Sequence, residues 1–567
     1  MSDETINAGT ASKKPGSTFI WFLVVFLIAL TLRVALLDRM VFSQNELVLV
    51  NQALQISQRL STVTSTVPVY TGLTGLLFFI FGAGDFLAGV VPALVGASMV
   101  LLPWAWRNRL GQKTALIFAI ALTFDPTFLL FSRAIHGGIF AIAGLLWAFT
   151  FLKKNKTILA GLSLSFAFLS GAPFWIFLLV AGLTWVAARL LLPDQVEELF
   201  AFQFIDRKEG LLSFGAGFVV SSALILTSFL LNPSGLGGVT SGLIAFILNF
   251  SHPFERPAYH LIYLLFAHSL LSLLLFTIGF FRPRSVESRG WYKLAGLSVL
   301  IALVLGLIVS RESYETLMWI AFVTWLGGAA WLGKWQFKTQ GSWFSSGLII
   351  GFVLAILTYL LINIGRIAGL PFGTPQFWNI FLMIAAGVIL LVSAWWLVRF
   401  GWSTGDGSQL FLLAILSFIA IVTISSSTRS LYQTQEVRSL EYLDNFLILP
   451  NNDIKRVSED FALTGKILEQ SGTFELVDLP AEFSWYFRGF FIERNQPGTS
   501  VILTRTYSMP DRDDEYRGSS VVLERTINWH RETLSTYLQS LAGSTPAFED
   551  QAGVLWVRTN LFTGASQ

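Results

Sequence analysis

The chain has 567 residues, of which 54% are hydrophobic and only 13% charged, with a mean hydropathy of +0.63. A soluble globular chain carries about a quarter charged residues, so a purely soluble protein is excluded; the absence of cysteine excludes disulfides, thiolate nucleophiles and Cys-ligated metals. The net charge of +3 hides a split: residues 428–567 carry 13 basic and 19 acidic side chains against 25 and 16 in the remainder, and a mildly acidic tail offers no footing for nucleic acid.

Residues 1–17 form an N-terminal tail. Lys13 and Lys14 precede an apolar run that lacks a small-residue cleavage site, so the run reads as an anchor rather than a signal peptide. Residues 18–427 read as one transmembrane domain. Apolar runs of helix length lie at roughly 18–37, 84–106, 114–132, 134–152, 157–170, 172–192, 211–231, 260–281, 292–310, 314–333, 343–363, 377–399 and 409–427, which gives about thirteen crossings by length. The run 157–170 is short. Asp125-Pro126 should end a helix near Phe124, because proline disfavours helical backbone in the residue before it. Tyr70–Phe81 is also apolar but abuts the next run across Gly82-Ala83-Gly84, and reads as a re-entrant or interface-lying helix.

Lys and Arg collect in every second gap: Arg107, Arg109 and Lys113; Lys153, Lys154 and Lys156; Arg207 and Lys208; Arg282, Arg284, Arg289 and Lys293; Lys334 and Lys338; Arg399. The positive-inside rule places these gaps in the cytoplasm with the N-terminus, and the alternate gaps outside with the tail. The first outside gap departs from the rule, since it holds Arg33, Arg39 and Arg59. The expected location is therefore the plasma membrane, multi-pass, with residues 428–567 extracytoplasmic.

In that tail Ser425–Gln435 reads as a polar linker. Asp453–Gln470 has the period of an amphipathic helix. Phe474–Val477, Val501–Thr504, Val521–Leu523 and Val554–Val557 are short β-type runs, and Trp529–Leu541 reads as helix. Alternating elements predict a small α/β domain.

Three outside clusters could carry chemistry. The first gap contains Arg33, Asp38 and Glu46, and "SQNELVLVNQALQIS" reads as a helix lying along the membrane with Glu46 near its start. Glu46 is either a general base for an acceptor hydroxyl or an acid favoured by the helix dipole. The second runs Asp125-Pro126, Ser132-Arg133 and His136-Gly137-Gly138. Arg133 either clamps a phosphate leaving group or snorkels to the interface. Asp125 suits a helix-end turn. The third, "NFSHPFERPAYH", holds His252, Glu255, Arg256 and His260. It reads as a structural or substrate-lining loop, or as a divalent-ion site; no H-E-x-x-H pattern is present. No GxxxxGK[ST] phosphate loop occurs.

Four features in order carry a resemblance: the anchor with Arg33 and an outside loop ending "SQNE"; "FGAGDFLAGVVPALVGASMVLLPWAW"; "GQKTALIFAIALTFDPTFLLFSRAIHGGIFAIAGLLWAF"; and the lysine cluster that follows. Together they resemble the glycosyltransferase C superfold, the membrane glycosyltransferases that use polyprenyl-phosphate sugars. That group includes the protein O-mannosyltransferase-like family 39 and a prokaryotic branch described as flippase-activity-associated. "FSWYFRGF" and "GVLWVRTNLF" look like the tail motifs of that branch. The likeness covers most of residues 18–190 and parts of 475–562.

The resemblance implies a sugar moved from a polyprenyl-phosphate donor to an unknown glycan, protein or lipid acceptor on the outer face, with no cofactor and metal dependence open. It implies Glu46, or Asp38, as acceptor-activating acid, where the family often has an Asp-Glu pair and this chain has Asn45-Glu46. It implies Arg133 as the holder of the lipid phosphate, with His136, Asp125, Arg33 and Arg256 lining the site. Trp485, Tyr486 and Arg488 would cover that site, or "WYFR" would pack on its own sheet. A second function stays open: a non-catalytic protein of the same fold that binds polyprenyl-linked glycans or assists their translocation, which Asn45 favours.

Overall fold

The computed structural model describes residues 16–39, 42–59, 64–191, 193, 208–250, 259–283, 286–309, 315–335, 343–368, 370, 372–401, 404–432, 455, 473–479, 481–488, 491–492, 501–505, 516–527 and 548–559. In chain order the helices are α1 (Gly16–Val34), α2 (Gln44–Ser57), α3 (Pro68–Phe81), α4 (Asp85–Met99), α5 (Leu102–Leu110), α6 (Gln112–Phe124), α7 (Pro126–Phe131), α8 (Gly137–Lys153), α9 (Thr157–Phe168), α10 (Ala172–Leu191), α11 (Lys208–Leu226), α12 (Gly238–Asn249), α13 (Tyr259–Phe281), α14 (Val286–Ile308), α15 (Glu315–Gly333), α16 (Trp343–Ala368), α17 (Pro375–Gly401) and α18 (Thr404–Tyr432). Every apolar run expected to cross the membrane is helical. Among the described residues, eight helical stretches are long and apolar enough to do so alone: Asp85–Leu110, Ala172–Leu191, Lys208–Leu226, Arg289–Ile308, Glu315–Gly333, Phe344–Ile367, Pro375–Phe400 and Gly407–Ser425. The protein is a polytopic helical membrane protein.

The remaining apolar helices are short for local reasons. The backbone of Asp125 is extended (φ −66°, ψ 124°) before Pro126 and breaks α6 from α7, as the sequence predicts. Gly82 turns the chain between α3 and α4 with φ +85°, a conformation open to a residue without Cβ. A 13-residue helix such as α6 rises about 20 Å, less than the roughly 30 Å hydrocarbon layer. The helix α12 was not expected, because its apolar stretch lies in a short Gly- and Ser-rich gap. It is held by Ser241 Oγ donating to Ser65 O at 2.7 Å and by Gly242 seated against the backbone of Gly171.

Packing sorts the helix ends into two groups. At one end the close of α1 meets the close of α6 through Arg33, and Ser427 Oγ on α18 donates to Phe124 O at 2.6 Å. The starts of α4, α8 and α15 gather there too. At the other end Phe19 meets Trp104 edge-on at 5.6 Å, Trp106 Nε1 donates to Thr150 Oγ1 at 2.9 Å, and Gly333 sits against Thr114.

After α18 the chain forms a five-stranded sheet of β1 (Thr473–Val477), β2 (Phe491–Ile492), β3 (Val501–Thr504), β4 (Tyr516–Ile527) and β5 (Phe548–Arg558), in the order β2-β1-β3-β5-β4. β1 runs parallel to β2 and β3; β5 runs antiparallel to β3 and β4. The four predicted β-runs all fall in this sheet. The helices expected at Asp453–Gln470, apart from Lys455, and at Trp529–Leu541 lie outside the described residues.

Candidate functional site

The expected site residues that can be described converge on the first of the two ends. Arg33 is fully buried; Nη1 donates to Ala29 O at 3.1 Å and Nη2 to Leu122 O at 2.9 Å, so it ties α1 to α6. Arg133, from the turn after α7, donates through Nη1 to the carbonyls of Leu32 (3.1 Å), Arg33 (3.2 Å) and Ala35 (2.6 Å). Carbonyls at a helix end lack partners within the helix and sit at the negative end of its dipole, so a guanidinium is well suited to cap α1.

Asp125 is buried at the start of α7. Its Oδ1 accepts from Phe128 N at 3.0 Å and its Oδ2 from Trp325 Nε1 at 2.7 Å, which links the α6–α7 break to α15. Glu46 is 6% exposed. Ser43 caps α2 and forms a capping box with it: Oε2 accepts from Ser43 N at 2.8 Å, and Glu46 N donates to Ser43 Oγ. The other carboxylate oxygen, Oε1, accepts from Ile135 N at 2.8 Å. Glu46 therefore joins the first connection to the turn that carries Arg133 and His136. The helix α2 itself lies between α3 and residues 481–485 and buries Leu47, Val50 and Ala53.

His136 is the N-cap of α8, and its side chain is 31% exposed. Its Nδ1 accepts from Gly138 N at 3.2 Å and lies 3.5 Å from Oε1 of Glu315, the buried first residue of α15. The paired glycines make this approach possible. A Cβ on Gly137 would lie 2.1 Å from Ser170 O, and one on Gly138 would lie 2.5 Å from Met318 Cε and 3.1 Å from Glu315 Cγ. Asp38 and Asn45 are exposed. Arg256, His252 and Glu255 lie outside the described residues, as does the side chain of His260. Among the described residues no three His, Asp or Glu side chains group as a metal site requires.

The C-terminal lobe closes over this end. Asp85, first in α4, accepts from Lys455 Nζ at 2.6 Å, Arg488 Nη2 at 3.1 Å and Trp485 Nε1 at 3.1 Å. Lys455 Nζ also donates to Asp38 O at 2.5 Å. Trp485 is fully buried and stacks on Phe78 at 5.5 Å, while Phe42 N donates to Tyr486 Oη at 3.0 Å. In "WYFR" Phe487 turns to its own sheet, stacking on Phe474 at 3.6 Å. The reading in which the whole motif packs on its sheet is thereby corrected: a turn of 3-10 helix (Ala481–Trp485) presents Trp485, Tyr486 and Arg488 to the membrane-embedded part.

Glu315, Asp85 and Lys455 escaped the sequence reading. For the first two a signal exists: each is the last acid before a long apolar run, the first-turn position a helix dipole favours. Lys455 had none, being one cation in an acidic tail.

No protein-family model matches the chain, and no curated protein matches it. Among solved structures it is similar to ArnT from Cupriavidus metallidurans bound to undecaprenyl phosphate, with 13% identity, 95% of this chain and 98% of that chain covered, and a TM-score of 0.53. It is also similar to the apo state of the same protein, with 13% identity, the same coverage and a TM-score of 0.49. The likeness to the lipid-bound structure runs through both the helical bundle and the terminal lobe, and the chain has the glycosyltransferase C-like membrane fold that its sequence resembles.

Proposed function

We propose that this protein is a membrane glycosyltransferase that moves a sugar from a polyprenyl-phosphate donor to an acceptor on the extracytoplasmic face of the plasma membrane. The observation that carries the reading is the fold shared, over nearly its whole length, with a protein seen bound to undecaprenyl phosphate. The donor occupies the end of the bundle where the first connection, the turn after α7 and the lobe meet. Arg133 and Arg33 supply positive charge to the departing lipid phosphate as charge develops on it. Acceptor activation needs a proton-accepting group at this end, and the carboxylates the sequence offers for it are Asp38, which is exposed, and Glu46, which would first have to leave a main-chain donor. Asp125 and His136 line the donor path, and the lobe that carries Trp485 and Arg488 restricts access to it.

The test is mass spectrometry of lipids co-purified with the protein, followed by incubation with polyprenyl-phosphate sugars and candidate acceptors. Co-purified isoprenoid phosphate together with sugar transfer supports the reading. Recovery of no isoprenoid lipid and no transfer overturns it. A second reading, a non-catalytic protein that binds or helps translocate such lipids, is favoured by one observation: the carboxylate of Glu46 faces main-chain donors through both oxygens, next to Asn45. Isoprenoid bound without any transfer identifies that case.

A further inference from the structure

Resting on the transferase reading, we infer that His136 is the proton acceptor of the reaction and that Glu315 is the residue that positions and charges it. Three observations bring this pair forward. His136 is the one ionisable side chain of the α7–α8 turn that is partly exposed, whereas Arg133 and Asp125 are buried. Its Nδ1 lies 3.5 Å from the Glu315 carboxylate, which comes from a distant helix and is itself buried. A Cβ on Gly137 would lie 2.1 Å from the main-chain oxygen of Ser170, so the turn that presents His136 is built on a residue without one, and a Cβ on Gly138 would meet Glu315 Cγ at 3.1 Å.

The chemistry follows from the inventory of the imidazole ring. A carboxylate beside Nδ1 selects the tautomer with its proton on Nδ1, directed at Glu315, and leaves a lone pair on Nε2. That state gives up the bond that Nδ1 now accepts from Gly138 N, since a protonated Nδ1 has no lone pair to accept it. As the acceptor hydroxyl oxygen bonds to the anomeric carbon, its proton passes to Nε2. The bond from that carbon to the phosphate oxygen breaks, and the electron pair leaves with the lipid phosphate. The imidazolium that forms is stabilised by Glu315, an acid–base arrangement in which the carboxylate never touches substrate. Exposed Asn45 then needs no proton-accepting role, and Glu46 remains on Ser43 and Ile135.

The charged groups on the elements packed around His136 are Glu315 on α15, Glu46 on α2, Asp125 between α6 and α7, and Arg133 after α7. Of these, Glu315 approaches the ring, with Oε1 at 3.5 Å from Nδ1.

The test uses the full-length protein in detergent and has two arms. In the first, carbethoxylation of His136 by diethyl pyrocarbonate is followed across pH by peptide mass spectrometry, which reads the neutral imidazole without requiring turnover. Glu315→Gln is expected to move the midpoint for His136 to lower pH, because the charge that favours imidazolium is gone; Glu315→Asp is expected to restore part of it. An unchanged midpoint in Glu315→Gln overturns the pairing. In the second arm, transfer is measured with a polyprenyl-phosphate sugar. His136→Gln is expected to lower kcat about 100-fold or more, the usual size of a general-base contribution, with the donor KM within about twofold, as for a group that acts only in the transition state. Glu315→Gln is expected to lower kcat less and to shift the acid limb of the pH–rate profile downward with the labelling midpoint. A His136→Gln variant with undiminished kcat overturns the proton-acceptor role. Absence of transfer by the wild-type protein overturns the transferase reading and that role with it, and the labelling arm still reports whether the pair exists.

Discussion

The two ends of the bundle use charge in opposite ways. At one end Arg107, Arg109, Lys154 and Lys156 bring charges of one sign together. Burial, then nearby Arg107 and Lys156, push the Lys154 ammonium below its usual value. Arg107 lies over the Trp104 ring at 3.7 Å rather than against a carboxylate. At the other end the charges are of both signs, mostly buried, and each meets a defined partner: Arg33 and Arg133 on helix-end carbonyls, Asp125 on Trp325, Glu46 on two amides, Asp85 on Lys455 and Arg488. A like-charged cluster needs only water or lipid headgroups around it and serves to orient the chain. A buried mixed-charge cluster persists only where geometry satisfies every member, so it marks the end at which structure is held for a purpose.

That contrast can be broken most forcefully at Asp85. Asp85→Ala leaves Lys455 and Arg488 without their carboxylate. With both Asp85 and Lys455 nearly buried, the cost expected is about 3–5 kcal/mol. It is read as a lower melting temperature and faster protease cleavage between α18 and the sheet.

Arg133→Ala removes a charged donor from three carbonyls and should cost about 1.5–3 kcal/mol. Arg133→Lys should recover most of the melting temperature, since an ammonium also caps helix carbonyls; sugar transfer that stays lost in the lysine variant would assign the guanidinium a ligand as well. Gly96→Ala, which sets a Cβ 2.1 Å from Ser132 Cβ, should destabilise by about 1–3 kcal/mol through overpacking. Trp325→Phe leaves Asp125 Oδ2 without its indole donor and should cost about 1–3 kcal/mol, seen in the same melts. At the opposite end Lys154→Gln should change stability by no more than about 0.5 kcal/mol. Its effect should appear instead as a small change in the fraction of correctly oriented reporter fusions. A loss at Lys154 as large as that at Asp85 would erase the distinction between the ends.

Much of this was legible in the chain. The helix break at Asp125-Pro126, the helix beginning near Glu46 and four of the five strands of the sheet all stand where local propensity puts them. The site was legible only as a neighbourhood. Glu46 carried the signature of a capping box, Ser43 three residues ahead of it, and the structure uses it that way. Nothing near Glu46 in sequence announces Ile135, its other partner. Arg133 had the right residue type for a phosphate, yet its described donors go to the end of α1. His136 was weighed without Glu315, and "WYFR" without Asp85.

The amino-acid sequence by itself determined which segments face lipid, which loops share a side, and that the tail forms strands, because hydropathy, charge and residue propensity act locally or through the solvent. Only the tertiary structure decided which acid meets which base. Those pairings join residues brought together by helix packing, where the positions of glycines and the ends of helices, rather than any spacing along the chain, set the distances.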